Sequence, residues 1–329
     1  MARESNYTPT ATNSLIVKMV LPRFITIKSV YNHKYLLFRE GNITDENGVQ
    51  MHGLLEFAGD SASPFTSFQI EPARCGNGLV HIKNCHNNKY FVRWSSTHWW
   101  MAAIADAPLE NSSQWNCTLF RPIQNSQDNT IQFVHVQLGH YICLWRAAAP
   151  FTNYLFAGAP TPDKDRCDVY TITDLSITIK SVYNQKLLYF KEGNITDEFG
   201  VNMHGLLEFA GDNASPLTSF VIEPARCGNG LVHIRSCYNG KYFVRWSSTH
   251  WWIAATAEQS WEDSSQWNCT LFRPIKNSQD NTIQFVHVQL GHYLCLWRAA
   301  APFTNYLFAG TATPDKDRCD VFTITQVGA

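Results

Sequence analysis

Charge is scarce in this sequence. Only 16% of its 329 residues are Asp, Glu, Lys or Arg, against about 25% in an ordinary soluble domain. The 26 basic and 27 acidic residues nearly cancel, to a net charge of −1. That balance excludes the basic stripe with which nucleic-acid binders engage phosphates. Long apolar runs are missing as well. Leu15 to Leu21 is interrupted by Lys18 and falls far short of the roughly 18 uninterrupted apolar residues of a membrane span, so no membrane insertion is expected. The opening Met1 to Asn13 lacks the basic-then-apolar order of a secretory signal, which points to a cytoplasmic or nucleocytoplasmic location. No window carries the 3.6-residue apolar period of an amphipathic helix.

Several chemical signatures are absent too. The ten cysteines fall at 75, 85, 117, 143 and 167, and again at 227, 237, 269, 295 and 319. Five per half is odd, so neither half can pair all its own thiols. None of the spacings is that of a zinc cluster, and the cysteines read as reduced, mostly buried, small apolar residues. No glycine-rich phosphate loop occurs; Cys75-Gly76-Asn77-Gly78 reads as a hairpin turn. His135 with His140, and His287 with His292, lack a third ligand at a recognisable spacing and read as structural. No cofactor is called for.

What the sequence does have is rings and repetition. It contains 11 Trp, 13 Tyr and 20 Phe, and 45% of its residues are apolar. Ile25-Thr26-Ile27-Lys28-Ser29-Val30-Tyr31-Asn32 recurs as Ile177 to Asn184, an offset of 152 that holds without a gap to Asp320-Val321. About five positions in six are identical. The division reads as an extension over 1–20, a first domain over 21–173, a three-residue linker over 174–176 and a second domain over 177–329. Inside each copy a fainter pattern repeats three times: an apolar strand, a polar turn, an aromatic strand, a short apolar run and an alternating strand. Its anchors are Ile27, Ile82 and Val136, leading to Leu36, Phe91 and Ile142. Four short strands in triplicate, punctuated by Gly, Pro, Asn and Asp, specify an all-β chain. The threefold repeat specifies two tandem β-trefoil domains, closed barrels with few exposed edges. Inner positions are expected at Ile27, Leu36, Ile82, Phe91, Leu119 and Val136 and their equivalents 152 residues on.

The most unusual stretch is Arg93-Trp94-Ser95-Ser96-Thr97-His98-Trp99-Trp100, repeated at Arg245 to Trp252. Ser95 to His98 join two apolar strands. Alternation along a strand sends Trp99 and Trp100 to opposite faces, so one ring is core and the other faces outward. A ring beside hydroxyls and an imidazole suits a sugar, whose C–H face stacks on the ring while its hydroxyls exchange hydrogen bonds. The carboxylates Glu40, Asp45, Glu46, Glu56 and Asp60 show no spacing that singles out the facing acid pair of a glycosidase, and turn or rim duty accounts for them. Cys75 has no histidine base fixed near it.

Gly78-Leu79-Val80-His81-Ile82-Lys83, Lys89 to Ser95, Trp115 to Pro122 and His135 to Tyr141 resemble, in order and in both copies, the amaranthin family of plant lectins. The resemblance covers residue 21 to the C-terminus. It implies two β-trefoil agglutinin domains without enzymatic activity and a role in plant defence. The implied ligands are glycoprotein glycans ending in N-acetylgalactosamine or galactose, including galactosyl-β1,3-N-acetylgalactosamine. The implied assembly is a head-to-tail homodimer with sugar held between unlike domains. The family's Asn-His-Tyr sugar contacts fall on Thr97, His98 and Trp99, and on Thr249, His250 and Trp251, with Ser96 and Ser248 beside them; here a hydroxyl replaces the amide and a larger ring the tyrosine. Two other readings use the same composition: a trefoil scaffold that crosslinks proteins, and a glycoside-processing enzyme.

Overall fold

The computed structural model describes residues 21–45, 47–147, 149–197, 200–298 and 301–327; the extension over 1–20 and Glu46 lie outside them. Among the described residues the only helical elements are the single 3₁₀ turns Pro64–Thr66 and Pro216–Thr218. Twelve strands of the first copy form one sheet and twelve of the second form another.

Each sheet closes on itself. In the first copy, Phe24–Ser29 pairs with the last strand, Tyr170–Asp174, as Ile25↔Asp174 and Ile27↔Ile172, and with Phe68–Pro72 as Ile25↔Phe68. Phe68–Pro72 then pairs with Val80–Asn84, Phe120–Asn125 with both Val80–Asn84 and Thr130–His135, and Thr130–His135 with Tyr170–Asp174. Three hairpins cap the barrel through the pairs Leu36↔Phe57, Phe91↔Ala103 and Ile142↔Ala157. Each carries the same one-residue register shift, at Tyr35/Leu36, Tyr90/Phe91 and Tyr141/Ile142, a bulge that bends the strand inward. The caps meet through the bridges Leu54↔Ala102, Glu56↔Tyr154 and Trp100↔Phe156. This is the threefold β-trefoil, and the second copy repeats it over Ile177–Gln326.

Ile27, Leu36, Ile82, Phe91, Phe120 and Tyr170 share one core, with the rings of Phe57 and Tyr170 stacked 5.3 Å apart. Two expected core positions go elsewhere. Leu119 is buried, but in a small cluster with Ala73 and Cys117, and Val136 only flanks that cluster. The third anchor is Phe133, because Lys28↔Tyr35, Lys83↔Tyr90 and Val134↔Tyr141 are equivalent pairs. Ile27, Ile82 and Phe133 each stand nine residues before Leu36, Phe91 and Ile142. All ten cysteines are free; Cys75 and Cys227 are exposed in turns and the rest are buried or half-buried.

The two barrels meet along a seam that includes several positions where the copies differ. Phe24, Cys85, Val221 and Cys237 pack together with Leu175 against them. Arg235, which replaces Lys83 of the first copy, lies 5.0 Å over the Phe24 ring and donates to Gln69 Oε1 at 3.0 Å. It also pairs with Glu223 at 3.7 Å. Arg23 donates to the carbonyls of Cys237 and Tyr238. Gly240, replacing Asn88, lies against it: a Cβ there would stand 2.9 Å from Arg23 Nη2. Breaking a buried, bonded charge leaves its partners stranded, at about 3–5 kcal/mol. Arg235→Ala is therefore expected to cost about 3–5 kcal/mol in urea denaturation of the full chain, and the equivalent Lys83→Ala less than about 1 kcal/mol. Equal costs for the two would overturn the seam assignment.

Candidate functional site

The Trp doublet divides as alternation requires. Trp100 turns inward, stacked on Phe151 at 4.5 Å and set edge-on to Trp145 at 5.7 Å and Phe156 at 4.8 Å. Trp99 turns outward and is 39% exposed; Trp251 is 41% exposed. Trp99 is held by an edge contact with His140 at 4.9 Å, and its carbonyl accepts the Ala157 N–H at 2.9 Å. The ring is thus braced from the third repeat and keeps an open surface.

Beside it the loop is folded by its own polar groups. Ser95 Oγ accepts the backbone N–H groups of Thr97 at 3.3 Å and His98 at 3.1 Å. The Ser95 and Thr97 hydroxyls lie 2.8 and 3.1 Å from His98 Nδ1. Hydroxyls donating to Nδ1 place the imidazole proton on Nε2. That nitrogen faces Asp45 Oδ2 at 3.7 Å, too far for a direct hydrogen bond. The second copy reproduces the arrangement, with Ser247 2.7 Å from His250 Nδ1 and Asp197 3.6 Å from Nε2.

Asp45 arrives on a small hairpin, Asn42–Thr44 with Gln50–His52, inserted in the first repeat. Its Oδ1 accepts the N–H groups of Val49 at 2.8 Å and Asn47 at 2.9 Å. Those bonds, Val49's above all, hold its pKa below the usual carboxylate value, with His98 adding to the effect. Gly53 lets the hairpin fold back onto the second cap: its φ is +70°, and a Cβ would stand 2.5 Å from Ile104 Cγ2. Turn duty for Asp45 is what the sequence suggested; its place opposite His98 is not visible there. Glu40 is taken by His86 at 2.9 Å, Glu56 by Arg39 at 3.6 Å and Asp60 by Lys34 at 2.5 Å. No two of these four described carboxylates face each other as an acid pair.

Arg93 is the other residue that sequence reasoning passed over. Only 4% exposed, it donates through Nη2 to the Ser96 carbonyl at 2.8 Å, through Nε to the His98 carbonyl at 3.4 Å and through Nη1 to Gln137 Oε1 at 2.9 Å. The loop is wrapped around this guanidinium. Arg245 repeats all three bonds. The signal was present as an Arg-Trp-Ser motif in both copies, but nothing local says that such an arginine is buried.

Ser96 and Thr97 are exposed, as are Ser248 and Thr249, while His98 and His250 are half-buried. The loop therefore gathers Ser96, Thr97, His98 and Trp99 on one rim, with Asp45 behind. His140 Nδ1 lies 3.4 Å from the Ala157 carbonyl, and His135 donates to the Cys117 carbonyl at 3.0 Å; no cluster of three metal-ligating side chains occurs among the described residues. Burial and Glu110 raise the Cys75 thiol above its ordinary pKa, which suppresses the thiolate.

The Agglutinin domain family matches residues 19–174 and again 175–326. No curated protein matches the sequence. Among solved structures, a mosquitocidal holotoxin aligns over 93% of this chain at 11% identity and TM-score 0.37, and the chain spans 34% of the toxin's length. The BEL β-trefoil aligns over 46% of this chain and 93% of its own, at 14% identity and TM-score 0.34. The designed threefold protein ThreeFoil aligns over 47% of this chain and 100% of its own, at 11% identity and TM-score 0.36.

The buried histidines beneath the loop give the stability a pH signature. Burial pulls His135 and His287 from 6.5 to about 4; the Cys117 and Cys269 carbonyls oppose the drop, and Arg93 and Arg245 add to it. The unfolded chain protonates the same imidazoles near 6.5. Between the two values the unfolded state binds protons that the folded state refuses, so this stability is complete above about pH 6.5 and is lost as the pH falls towards 4. Denaturation midpoints should fall from pH 7 to 4.5, and fall less in His135→Gln/His287→Gln, whose amides can still donate. Equal slopes would overturn the assignment of neutral, buried imidazoles.

Proposed function

The chain belongs to the Agglutinin domain family, which it carries in tandem, and we propose that it is a non-catalytic lectin for glycans ending in N-acetylgalactosamine or galactose, including galactosyl-β1,3-N-acetylgalactosamine. Membership of that family supports a carbohydrate-binding role. The observation that carries the reading to a site is the outward Trp99, repeated as Trp251, beside a preorganised Ser-Thr-His rim.

The chemistry follows from the donor pattern. A pyranose lays its C–H face on the indole, burying area at low side-chain entropy cost. One sugar hydroxyl caps the His98–Asp45 pair from the solvent side. It accepts the Nε2 proton and donates to Oδ2, completing a bridge that the 3.7 Å gap leaves open. Thr97 and Ser96 supply hydroxyls that donate or accept, and Thr249, Ser248, His250 and Trp251 do the same in the second copy. An open rim of this kind binds one sugar weakly; a Kd near 1 mM is about −4 kcal/mol. Two copies per chain, and a head-to-tail homodimer, multiply avidity on a glycan-bearing surface by about 10² to 10⁴. The assembly recognises glycoproteins rather than nucleic acid or membrane.

The test is a glycan array with matched thermal melts. His98→Ala/His250→Ala and Trp99→Ala/Trp251→Ala should each lose at least tenfold in binding to N-acetylgalactosamine-terminated glycans, with little change in Tm. Asp45→Asn/Asp197→Asn should also weaken binding, because the amide oxygen stays on the Val49 and Val201 N–H groups and an NH2 donor replaces the acceptor that faces the imidazole. A wild-type binding profile in the Trp99→Ala/Trp251→Ala protein would overturn the site.

A further inference from the structure

Ser96 and Arg93 also border a second feature. An open depression of about 590 Å³ is lined by Arg93, Ser96, Ser113, Gln114, Trp115, Asn116 and Gln137. Trp115 is 40% exposed and its counterpart Trp267 42%. The lining is unchanged in the second copy, as Arg245, Ser248, Ser265, Gln266, Trp267, Asn268 and Gln289. The adjoining segment is not: Asp106, Ala107, Pro108, Leu109 and Asn111 become Glu258, Gln259, Ser260, Trp261 and Asp263. Sequence drifts beside the depression and stays fixed within it.

Its electrostatics are one-sided. Arg93 is the only charged residue of the lining, and its hydrogen bonds go to neutral oxygens: Gln137 Oε1 and the Ser96 and His98 carbonyls. Those bonds use three of the five guanidinium donors. Burial lowers the pKa of Arg93 and of Arg245, with no carboxylate opposing the shift. A buried cation matched only by neutral dipoles favours an anion that can approach its remaining donors. Carboxamides at Gln114, Asn116 and Gln137 and hydroxyls at Ser96 and Ser113 supply donors and acceptors for a sugar's rim, and the Trp115 ring supplies a platform for its apolar face.

We propose that this depression is a second saccharide site in each domain, and that it takes an acidic pyranose, a uronic acid whose planar carboxylate meets the guanidinium fork. The inference takes the class of ligand from the lectin reading, but neither its sugar nor its loop residues. The two sites share Ser96, so an acidic unit bound here lies next to a neutral unit on the Trp99 rim, and an oligosaccharide carrying both spans them.

The probes are methyl α-D-galactosiduronate and its neutral counterpart methyl α-D-galactoside, titrated into the full chain and followed by indole NMR signals. At the Trp115 and Trp267 indole signals the uronate should bind at least tenfold more tightly than the galactoside at low salt and should weaken as salt rises. Trp115→Ala/Trp267→Ala should lose uronate binding at least tenfold while N-acetylgalactosamine binding stays at the wild-type level; Trp115→Phe/Trp267→Phe should retain most uronate binding. Equal affinity of the two probes at the Trp115 and Trp267 indole signals of the wild type, or undiminished uronate binding in the alanine pair, overturns the proposal. Uronate binding that needs Trp115, in a protein indifferent to N-acetylgalactosamine, upholds this site and overturns the sugar assigned to the loop.

Discussion

Barrel closure is the constraint from which the rest follows. Phe24–Ser29 is hydrogen-bonded to Phe68–Pro72 on one side and to Tyr170–Asp174 on the other, so the first and last strands of each copy are fixed before any loop matters. With the ring closed, the three bulged hairpins have one place to converge, and Trp100 meets Phe156 across a bridge. A shift of one residue would exchange every side chain between faces. The outward position of Trp99 is thus a consequence of the inward position of Trp100. The outward ring inherits its position from the core rather than from the loop that displays it.

Duplication alone would give two barrels on a string. The seam gives more, because the second copy departs from the first where the two touch. Lysine becomes arginine at 235, where a planar cation can cover the Phe24 ring and still reach Gln69; a lysine's point charge does neither as well. Asparagine becomes glycine at 240, making room for Arg23. The chain's end joins in, since Gln326 donates to the carbonyls of Asp174 and Ser176 at 2.5 and 3.0 Å. The stretch from Arg93 to Trp100, by contrast, is unchanged as Arg245 to Trp252. Divergence at these seam positions fixes the relation between the domains, and identity is kept where ligand contacts are proposed.

Much of this was legible in the sequence, for physical reasons. Closed trefoils demand short strands at regular intervals, and those strands announced themselves by period and by turn residues. The third anchor was misplaced at Val136 because Val134-His135-Val136 has the same alternation as Val80-His81-Ile82. Only the distance to the next aromatic strand separates the two registers, and that distance points to Phe133. Leu119 was rightly buried but assigned to the wrong cluster, since apolarity reports burial and not the neighbour. The outward turn of Trp99 could be read because strand alternation is local. Asp45 could not, because it reaches His98 from a hairpin some fifty residues away and its pairing exists only in three dimensions. Arg93 was hidden for a different reason: arginine is seldom buried, and nothing in its neighbours foretells that backbone carbonyls will line up around it.

The internal bonding of the loop decides what kind of binding it can support. Ser95 and Thr97 hold Nδ1 of His98, and Arg93 holds the Ser96 and His98 carbonyls. On the proposed reading, a ligand finds the rim already ordered and spends little of its binding energy on arranging it. The same bonds use up polar capacity, leaving few groups for any one sugar, so preorganisation and low contact number act together. Such a site gains little from tightening a single contact, which would cost an internal bond. It gains from repetition at fixed spacing, because effective concentration rises only when the partners are held in a geometry that the ligand can span. On the proposed reading, the packed seam and the shallow rim are thus complementary: the rim alone gives a weak site, and the seam holds two such sites at one spacing.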